Sequence, residues 1–350
     1  MEVLVVGAGG YIGSRLVPAL VGAGHTVRAG FRDPARAEAF HWRDDVEPVQ
    51  LDVARGEGVD VAVEGADAVC YLVHSMAGPD FAEVDRTAAR TLADAAEAAG
   101  VSRVCYLSGL VPDVAPGELS EHIVSRLEVE SILMMSAVPT LSLRAALVVG
   151  SGSTSFEVLR QLSDRLPVQV VPTWLTAQVQ PVAVVDVVAA LVGAVESSTP
   201  SRTYDVGGRD VVTYRELLTQ FAEAAGLLRP QVDVPLLTQD LVGQLAGVVT
   251  DVPTATLRAL VRSLEHDMVC AERDFERDLL PEGHEPLRLH EALERALAEP
   301  ATELDVAERD PMGALPGDPS WTGSSRSRSP LDWAVAVGGL LPFGVARLWR

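Results

Sequence analysis

Apolar runs separated by helix-like stretches make up the first 150 residues. Six of these runs predict buried strands, at residues 2–7, 26–31, 47–53, 67–73, 103–109 and 141–150. Before the fifth run, residues 80–100 repeat apolar and alanine positions at helical spacing, and Gly100 stands where that helix is expected to end. Strands separated by single helices indicate a parallel sheet with right-handed crossovers and helices on both faces. The predicted fold class is therefore α/β, with a doubly wound parallel sheet.

After residue 150 the pattern becomes mostly helical. Helix-like stretches lie at residues 153–166, 184–196, 213–226, 238–249 and 254–266. A proline-punctuated segment covers 167–181, and a short strand is predicted at 202–208. We expect this half to form a small, mostly helical substrate cap that closes one side of a cleft. The cap is assigned mainly to residues 151–180 and 209–300. Its segments alternate along the chain with those of the sheet, so sheet and cap are predicted to form one domain over residues 1–300.

The last 50 residues differ in composition from the rest. Residues 301–330 are rich in Pro, Gly, Ser and Asp and predict a flexible linker. Residues 331–350 form a strongly apolar segment, but its uncharged run is shorter than the ~20 residues that a spanning helix needs. Tryptophans near both ends suit an interfacial segment. Peripheral membrane contact and docking on the protein's own surface both stay open, with a spanning helix as a third reading.

Composition excludes several classes of function. The net charge of −21 argues against a nucleic-acid partner, because neutralising phosphates requires a basic face. All 28 basic residues are arginine, so no lysine is present to form a Schiff base or to serve a phosphate-binding P-loop. The three cysteines lack close spacing and predict buried reduced thiols, and no Cys/His cluster supports a metal. The chain opens directly into a strand without a secretory signal, which predicts a cytoplasmic protein, with peripheral contact at the inner membrane face as an addition.

A glycine-rich turn follows the first predicted strand. In "VVGAGGYIG" (5–13), Gly7, Gly10 and Gly13 stand three apart between a strand and a helix, and Gly9 adds the GxG form. Glycines there let the backbone approach a pyrophosphate, and the helix N-terminus supplies N–H donors. The sequence therefore predicts a Rossmann-type dinucleotide-binding sheet. The predicted cofactor-binding residues are Gly7, Gly10, Tyr11, Ile12, Gly13, Arg32, Asp52, Val53 and His74.

The second and third strands bear on which dinucleotide binds. The second strand offers Arg28 and Arg32 before Asp33, whereas NAD binders usually end this strand with an acid. A guanidinium at that point suits a 2′-phosphate, so NADP(H) is favoured over NAD(H). The alternative is that Arg32 pairs with a neighbouring acid such as Asp33. Asp52, at the end of the third strand, is expected to meet the adenine amino group.

Several segments, most of them near predicted strand ends, resemble those of a known protein family. The resemblance rests on Gly7-x-x-Gly10-x-x-Gly13, Arg32, "LDV" (51–53), "YLVHSM" (71–76), "YLSGL" (106–110), "RAALVVGSGSTSFEVL" (144–159) and "PVAVVDVVAAL" (181–191). These segments resemble an atypical short-chain dehydrogenase/reductase over about residues 1–300. The sequence is similar in particular to the NmrA-like group and its YbjT-like NAD(P)-binding proteins, and more distantly to the NADPH-binding accessory subunit of complex I. The resemblance implies NAD(P) binding.

The resemblance also implies positions for catalytic residues. Catalytic members of the superfamily place a Ser or Thr near the end of the fifth strand, then Tyr-x-x-x-Lys on the next helix. Ser108 matches the first position. In "HIVSR", His122 takes the tyrosine position and Arg126 the lysine position. This departure removes the phenol that normally drives hydride chemistry.

The replaced pair allows two classes of function. Arg126 can hydrogen-bond the nicotinamide ribose but cannot relay a proton. His122 can donate and accept a proton near neutral pH, which suits a general acid; Arg126 lowers its pKa and Glu121 raises it. His74 is expected beside the nicotinamide. The favoured function is an oxidoreductase that uses NADP(H), and the alternative is a non-catalytic NADP(H)-binding redox sensor or an assembly or regulatory module of the NmrA type.

The substrate side is predicted to be apolar. "GSGSTS" (150–155) is expected to shape the substrate pocket, and the cap contributes largely apolar stretches at 172–181 and 233–253. These observations favour a small apolar substrate, a carbonyl, an enone or a quinone- or isoprenoid-like molecule. The sequence identifies no protein partner.

Overall fold

The computed structural model describes residues 1–74, 80–235 and 237–323, except for the side chains at 255, 258 and 259. The predicted apolar segment at 331–350 therefore lies outside the described residues. The strands are β1 Glu2–Val6, β2 Thr26–Phe31, β3 Glu47–Gln50, β4 Ala68–Tyr71, β5 Arg103–Gly109, β6 Thr140–Ala145, β7 Val148–Val149, β8 Gln169–Pro172, β9 Gln178–Val179, β10 Val182–Ala183, β11 Arg202–Val206, β12 Val212–Thr213 and β13 Gln231–Val234. The helices are α1 Gly13–Gly22, α2 Val59–Val63, α3 Phe81–Ala98, α4 Glu121–Met135, α5 Thr154–Arg165, α6 Val184–Glu196, α7 Tyr214–Ala224, α8 Gln239–Val249, α9 Thr254–Ser263, α10 Asp274–Asp278 and α11 Leu289–Leu297.

Seven strands form the central sheet, in the order β11-β6-β5-β4-β1-β2-β3, and every pair is parallel. In register, Val5 of β1 faces Ala29 of β2 on one side and Cys70 of β4 on the other. The chain runs outward to β2 and β3, then crosses back to β4 and continues the other way. The order reverses between β1 and β4, which is where doubly wound sheets open a crevice for ligands. The predicted Rossmann-type fold is confirmed.

Alternating side chains of the strands supply two separate cores. On β1, Val3 and Val5 join the core that α1, α6 and the cap cover. Leu4 and Val6 join the second core, under α2, α3 and α4. Because successive side chains of a strand point to opposite faces, a run that is apolar throughout must be covered on both sides. Cys70 and Cys105 are in register on neighbouring strands as buried free thiols, as the sequence predicts.

Two predicted strands end earlier than the apolar pattern suggests. The run at 141–150 forms β6 and then β7, which leaves the main sheet and pairs with β10. The run at 47–53 ends as a strand at Gln50, and Asp52 forms an isolated bridge with Glu57. The apolar residues continue past the end of each strand, and hydrophobicity alone does not show where the chain leaves the sheet.

The cap is mostly helical, as predicted. It comprises α5, α7, α8 and α9, together with the two-stranded sheet formed by β8 and β13. Helix α7 begins with a capping box, in which Thr213 and Glu216 exchange side-chain and backbone hydrogen bonds. Helices α8 and α9 have a small core of their own, centred on Ala246, Val252 and Leu257. Within the described residues, no helix has both the length and the apolar character that crossing a bilayer requires.

The segment at 301–330 differs from the expected flexible linker over its described part. Met312 is fully buried, and Trp321 packs beside the core of α8 and α9. Asp318 accepts two hydrogen bonds from the guanidinium of Arg15, whose side chain is also fully buried. A buried arginine requires acceptors, and this segment supplies them. Composition does not reveal such long-range pairing.

Candidate functional site

One cleft, with a volume of about 830 Å³, crosses the carboxyl ends of β1, β2, β4 and β5 and continues into the cap. Its first part lies at the glycine turn and its middle at the ends of β4 and β5. Its last part lies between the cap helices. This position is the topological switch point of the sheet. The volume of the cleft is in the upper part of the range of ligand-binding clefts, about 300–1,000 Å³.

The glycine turn has the geometry that a pyrophosphate site needs. Gly7 adopts a φ of +95°, and the N–H of Gly10 donates to the carbonyl oxygen of Gly7 at 2.9 Å. A Cβ on Gly13 would overlap that same carbonyl oxygen, so only glycine fits where α1 begins. Since Gly7, Gly10 and Gly13 all line the cleft, the helix N-terminus faces the space that the diphosphate would fill.

Tyr11 and Ile12 also line the cleft, but the ring of Tyr11 has a structural role. It lies under the guanidinium of Arg15, 4.2 Å from it, and its hydroxyl reaches the backbone of Gly150. Burial raises the pKa of Tyr11, with the charge of Arg15 acting against it. The side chain therefore braces the glycine turn against the loop that follows β7.

Two arginines follow β2 at the rim of the cleft. Arg32 and Arg36 are exposed and line the cleft, and within the described part of the chain neither forms an ion pair. Asp33 instead caps the next turn by accepting from the N–H of Ala35 at 3.1 Å, so the alternative pairing with Arg32 is not what the structure has. Sequence reasoning missed Arg36, although the spacing in "RDPAR" places it one turn beyond Arg32.

Arg28 lies away from the cleft. Its side chain pairs with Glu2 and Glu47 and donates to the carbonyl oxygen of Glu64 at 2.5 Å. Those partners stand at the amino-terminal end of the sheet, opposite the glycine turn. Of the two arginines offered by the second strand, only Arg32 is at the cofactor end.

The end of β3 contributes Asp52 and Val53, both of which line the cleft. One carboxylate oxygen of Asp52 accepts from the N–H of Ala54 at 3.0 Å and from that of Arg55 at 3.3 Å. These bonds fix the turn that carries Asp52 to the cleft wall. Val53 is buried and supplies an apolar surface beside it.

The four residues predicted at the reactive end come together. Ser108 is the next-to-last residue of β5, His122 and Arg126 lie on α4, and His74 follows β4; all four line the cleft. The Nε–H of Arg126 donates to Nε2 of His122 at 3.0 Å. The rings of His74 and His122 have centroids 5.9 Å apart. The four-residue spacing on α4 produces the first contact, since such residues share one helix face.

The environment of His122 differs from the expectation. Desolvation and the charge of Arg126 lower the pKa of His122 to about 4, and Glu121 is exposed and does not offset them. The ring is therefore neutral at pH 7, accepts at Nε2 and carries its proton on Nδ1. Desolvation, Arg126 and His122 also lower the pKa of His74. Neither imidazole is a proton donor near neutrality.

Arg126 presents a guanidinium to the cleft. Its side chain lies against Gly109, where a Cβ would come within 3.2 Å of its Cδ. Burial lowers its pKa, while Tyr106 and Asp85 act in the opposite direction. In the part of the chain that the structure describes, it has no ion-pair contact. The cleft therefore has one cationic group beside Ser108.

Asp85 and Tyr106 also belong to this region, and sequence reasoning missed both. Asp85 lies on the buried face of α3, is 6% exposed and still lines the cleft. The hydroxyl of Ser125 donates to its carboxylate at 3.3 Å. The available signal was a carboxylate at a position where the helical pattern calls for an apolar residue. Tyr106 was hidden inside an apolar strand.

The far part of the cleft is an apolar lobe between the cap helices. The side chains that line it include Val158, Leu162, Leu217, Val242, Leu257 and Leu264. Trp174 and Leu175 come from one of the predicted apolar stretches, and Ser153 and Thr154 from "GSGSTS". Among the described residues from 153 onward that line the cleft, none is charged. The lobe therefore suits an uncharged, apolar molecule.

Comparison with known sequences supports nucleotide binding. Residues 7–135 match a family model described as NAD(P)H-binding. The mitochondrial NADH dehydrogenase [ubiquinone] 1 alpha subcomplex subunit 9 of Arabidopsis thaliana is 26% identical over 223 residues. The match covers 61% of this chain and 55% of that relative, so the chain spans about half the length of the curated relative.

Solved structures share the fold over most of the chain. An Escherichia coli NADPH-dependent quinone oxidoreductase, complexed with NADPH, superposes with a TM-score of 0.67 at 19% identity, covering 84% of this chain and 98% of its own. A Staphylococcus aureus nucleoside-diphosphate-sugar epimerase gives a TM-score of 0.66 at 18% identity, with 84% and 100% coverage. At these identities the likeness concerns the fold alone.

Proposed function

From the match to the NAD(P)H-binding family model, we propose that the protein is an NADP(H)-dependent reductase. It resembles the atypical short-chain dehydrogenases/reductases and works without their Tyr-x-x-x-Lys pair. Its substrate is an apolar carbonyl, enone or quinone-like molecule. The observation that carries the proposal is the continuity of the cleft, which leads from the glycine turn past Ser108, His122 and Arg126 into the apolar lobe. A cofactor and an apolar substrate can therefore meet at the polar group of residues.

The polar residues then have distinct tasks. The dinucleotide, when bound, supplies a hydride. Arg126 stabilises the negative charge that develops on the substrate oxygen, because its guanidinium lies in the cleft without an ion-pair contact in the described residues. His122, neutral and held by Arg126, offers its Nδ1–H as a hydrogen-bond donor. The hydroxyl of Ser108 is the third polar group, and it lies in the cleft beside the buried phenol of Tyr106.

The lobe favours an apolar substrate over a nucleotide sugar. One solved relative acts on nucleoside-diphosphate sugars according to its name, and such a substrate carries a second diphosphate. A diphosphate needs cationic groups, and the lobe-lining residues that the structure describes include none. The other solved relative is a quinone oxidoreductase, which is consistent with an uncharged, apolar acceptor.

Arg32 and Arg36 support NADP(H) over NAD(H). Both are exposed at the rim, beyond β2, and both line the cleft. Two guanidinium groups at that point suit a 2′-phosphate, because arginine binds phosphate through paired N–H donors. We propose that the adenine lies beside Asp52 and Val53, which follow the neighbouring strand β3 and also line the cleft.

A non-catalytic role is the second candidate. His122 and Arg126 are hydrogen-bonded to each other, as in a pair with a structural role. The curated relative is named as a subunit of a larger dehydrogenase. This alternative predicts tight NADP(H) binding without turnover, and a partner affinity that differs between oxidised and reduced cofactor.

An assay of NADPH oxidation separates the two candidates. Purified protein is mixed with NADPH and a panel of apolar quinones, enones and ketones, and absorbance is followed. The reductase predicts turnover with at least one class, reduced in Arg126→Met. NADPH binding without turnover on any of the three classes would support the sensor and refute the reductase.

A further inference from the structure

The reactive end lacks an evident source for the proton that a carbonyl reduction consumes. His122 is neutral and its Nε2 accepts from Arg126, and arginine does not release a proton. Both residues stabilise charge, but neither replaces the phenol of the usual tyrosine. Another group must supply the proton. This reasoning rests on the proposed reductase function.

Ser108 and Tyr106 are neighbours on one face of β5. They are two residues apart, so their side chains point to the same face of the sheet. Both hydroxyls are buried, and neither has a well-oriented hydrogen bond among the described residues. They lie close together: burial raises the pKa of the Tyr106 phenol, while a side-chain hydrogen bond to Ser108 lowers it. Ser108 lines the cleft and Tyr106 lies behind it, against the ring of Tyr71 at a centroid distance of 5.8 Å. Buried hydroxyls without a well-oriented hydrogen bond are costly, so the retention of both requires a reason.

Asp85 completes the set from the neighbouring helix. It is held by Ser125, the residue between His122 and Arg126 that faces α3, and its charge acts on Tyr71, Tyr106 and Arg126. A carboxyl group on the buried face of a helix is costly unless neighbouring groups hydrogen-bond or pair with it. Because Asp85 also lines the cleft, it has access to the water there as well as to the buried hydroxyls.

We propose that Ser108, Tyr106 and Asp85 form the proton relay of the reductase. As the substrate carbonyl carbon gains the hydride, its C–O π bond breaks and the oxygen takes the proton of Ser108 Oγ. Ser108 takes the proton of the Tyr106 phenol, and Tyr106 takes one from the carboxyl group of Asp85. Asp85, a carboxylate at rest, first takes that proton from a hydronium ion in the cleft, so the relay returns to its starting state. The overall step consumes one hydride and one proton and yields an alcohol.

Three variants of the full chain test the relay by turnover. Tyr106→Phe keeps the ring packing against Tyr71, and Asp85→Asn keeps the shape of the side chain. Each is expected to lower kcat about 100-fold, with the Kd for NADPH and the KM unchanged, because general acid catalysis contributes at that level. Asp94→Asn, an exposed change on the same helix, is the matched control and retains the wild-type rate. Wild-type kcat in both Tyr106→Phe and Asp85→Asn would overturn the relay.

A second measurement does not depend on turnover. The carboxyl carbon of Asp85 is observed by ¹³C NMR and assigned by its loss in Asp85→Asn. The titratable or charged groups that act with it are Tyr71 on β4, Tyr106 on β5 and Arg126 on α4. The relay predicts that Tyr106→Phe shifts the Asp85 titration, and an unchanged titration contradicts it. Absence of turnover in the wild type refutes the reductase, whereas the titration decides the relay by itself.

Discussion

At the scale of single residues, the chemistry of the cleft depends on the charges of two neighbouring side chains. Arg126 remains cationic because guanidinium does not deprotonate in proteins. His122 is neutral because burial and that cation both disfavour its charged form. Under the proposed function, a hydride acceptor in this cleft would meet one fixed cation and one neutral hydrogen-bond donor.

The pKa of His122 makes stability depend on pH. Its value in the native protein, about 4, lies below the ordinary 6.5, so the unfolded chain binds a proton that the native one does not. The contribution of His122 is present above pH 6.5 and is lost as the pH falls toward 4. We expect His122→Gln, which can still accept from Arg126, to lose less free energy of unfolding over this window. Urea unfolding at several pH values measures it, and identical losses in both proteins would argue against the assignment.

Much of the candidate site could be located from the sequence together with the family resemblance, which gave the positions of Ser108, His122 and Arg126. Ser108, His122, Arg126 and His74 follow strands or share a helix face, and the topology brings such positions to one edge. The neutral state of His122 could not be predicted, because it depends on burial. Asp85 and Tyr106 were missed because each lies in an apolar pattern, and only the packing of α3 with β5 and α4 in one core brings them together.

At the scale of elements, the strand–turn–helix unit at the amino terminus is tightly constrained. The backbone of Gly13 lies so close to the carbonyl of Gly7 that no side chain fits between them. The turn therefore opens toward the cleft, which Gly7, Gly10 and Gly13 line. The sequence-based prediction agrees best with the structure in this unit, because a local motif can be recognised without knowledge of long-range contacts.

Substitution of Gly13 tests this unit. Gly13→Ala places a Cβ against the Gly7 carbonyl and must displace the turn, so NADPH affinity is expected to fall at least tenfold. Gly22→Ala, at the end of the same helix, is the matched control, because a Cβ there meets nothing within 4 Å. Isothermal titration of both variants with NADPH gives the comparison. Equal affinities for the two variants would exclude a cofactor site at the turn.

The strand boundaries show where element prediction stops. Six apolar runs correctly predicted six strands of the sheet, but the break between β6 and β7 was not visible in the run at 141–150. The short strand at 202–208 was predicted, yet its place beside β6 was not. Pairing partners depend on contacts between distant segments, which hydrophobic periodicity does not contain.

At the scale of the whole molecule, residues 310–322 connect helix α1 with the cap. Arg15 on α1 donates to the carbonyl oxygens of Pro311, Gly313 and Ser151 as well as to Asp318. The side chains of Arg15 and Asp318 are 0% and 4% exposed. This buried pair ties the glycine-turn helix to the segment that also packs on the cap through Trp321.

Removing one partner of this pair is expected to destabilise the protein. Asp318→Ala leaves Arg15 buried with an uncompensated charge, which costs about 3–5 kcal/mol. Arg209→Ala, which breaks the exposed pair with Glu285, is the control and should change stability by at most about 1 kcal/mol. Urea denaturation at pH 7 measures both. Losses of the same size in the two variants would contradict the role of segment 310–322 as an integral part of the domain.

The apolar segment at 331–350 also belongs to this scale. We propose, from its tryptophans, arginines and short uncharged run, that it lies at a membrane surface. Full-length protein should pellet with anionic liposomes, and a chain ending at Ser329 should not. Recovery of both in the supernatant would instead favour docking on the protein itself.

The central claim is that one cleft holds NADP(H) by its glycine turn and by the arginines beyond β2. A fluorescence titration with NADPH and NADH, on the wild type and on a double variant with Arg32→Ala and Arg36→Ala, tests it most directly. Wild-type protein is expected to bind NADPH more tightly than NADH, and the double variant to lose that preference while keeping its affinity for NADH. Tighter binding of NADH by the wild type, or no binding of either dinucleotide, would contradict the claim.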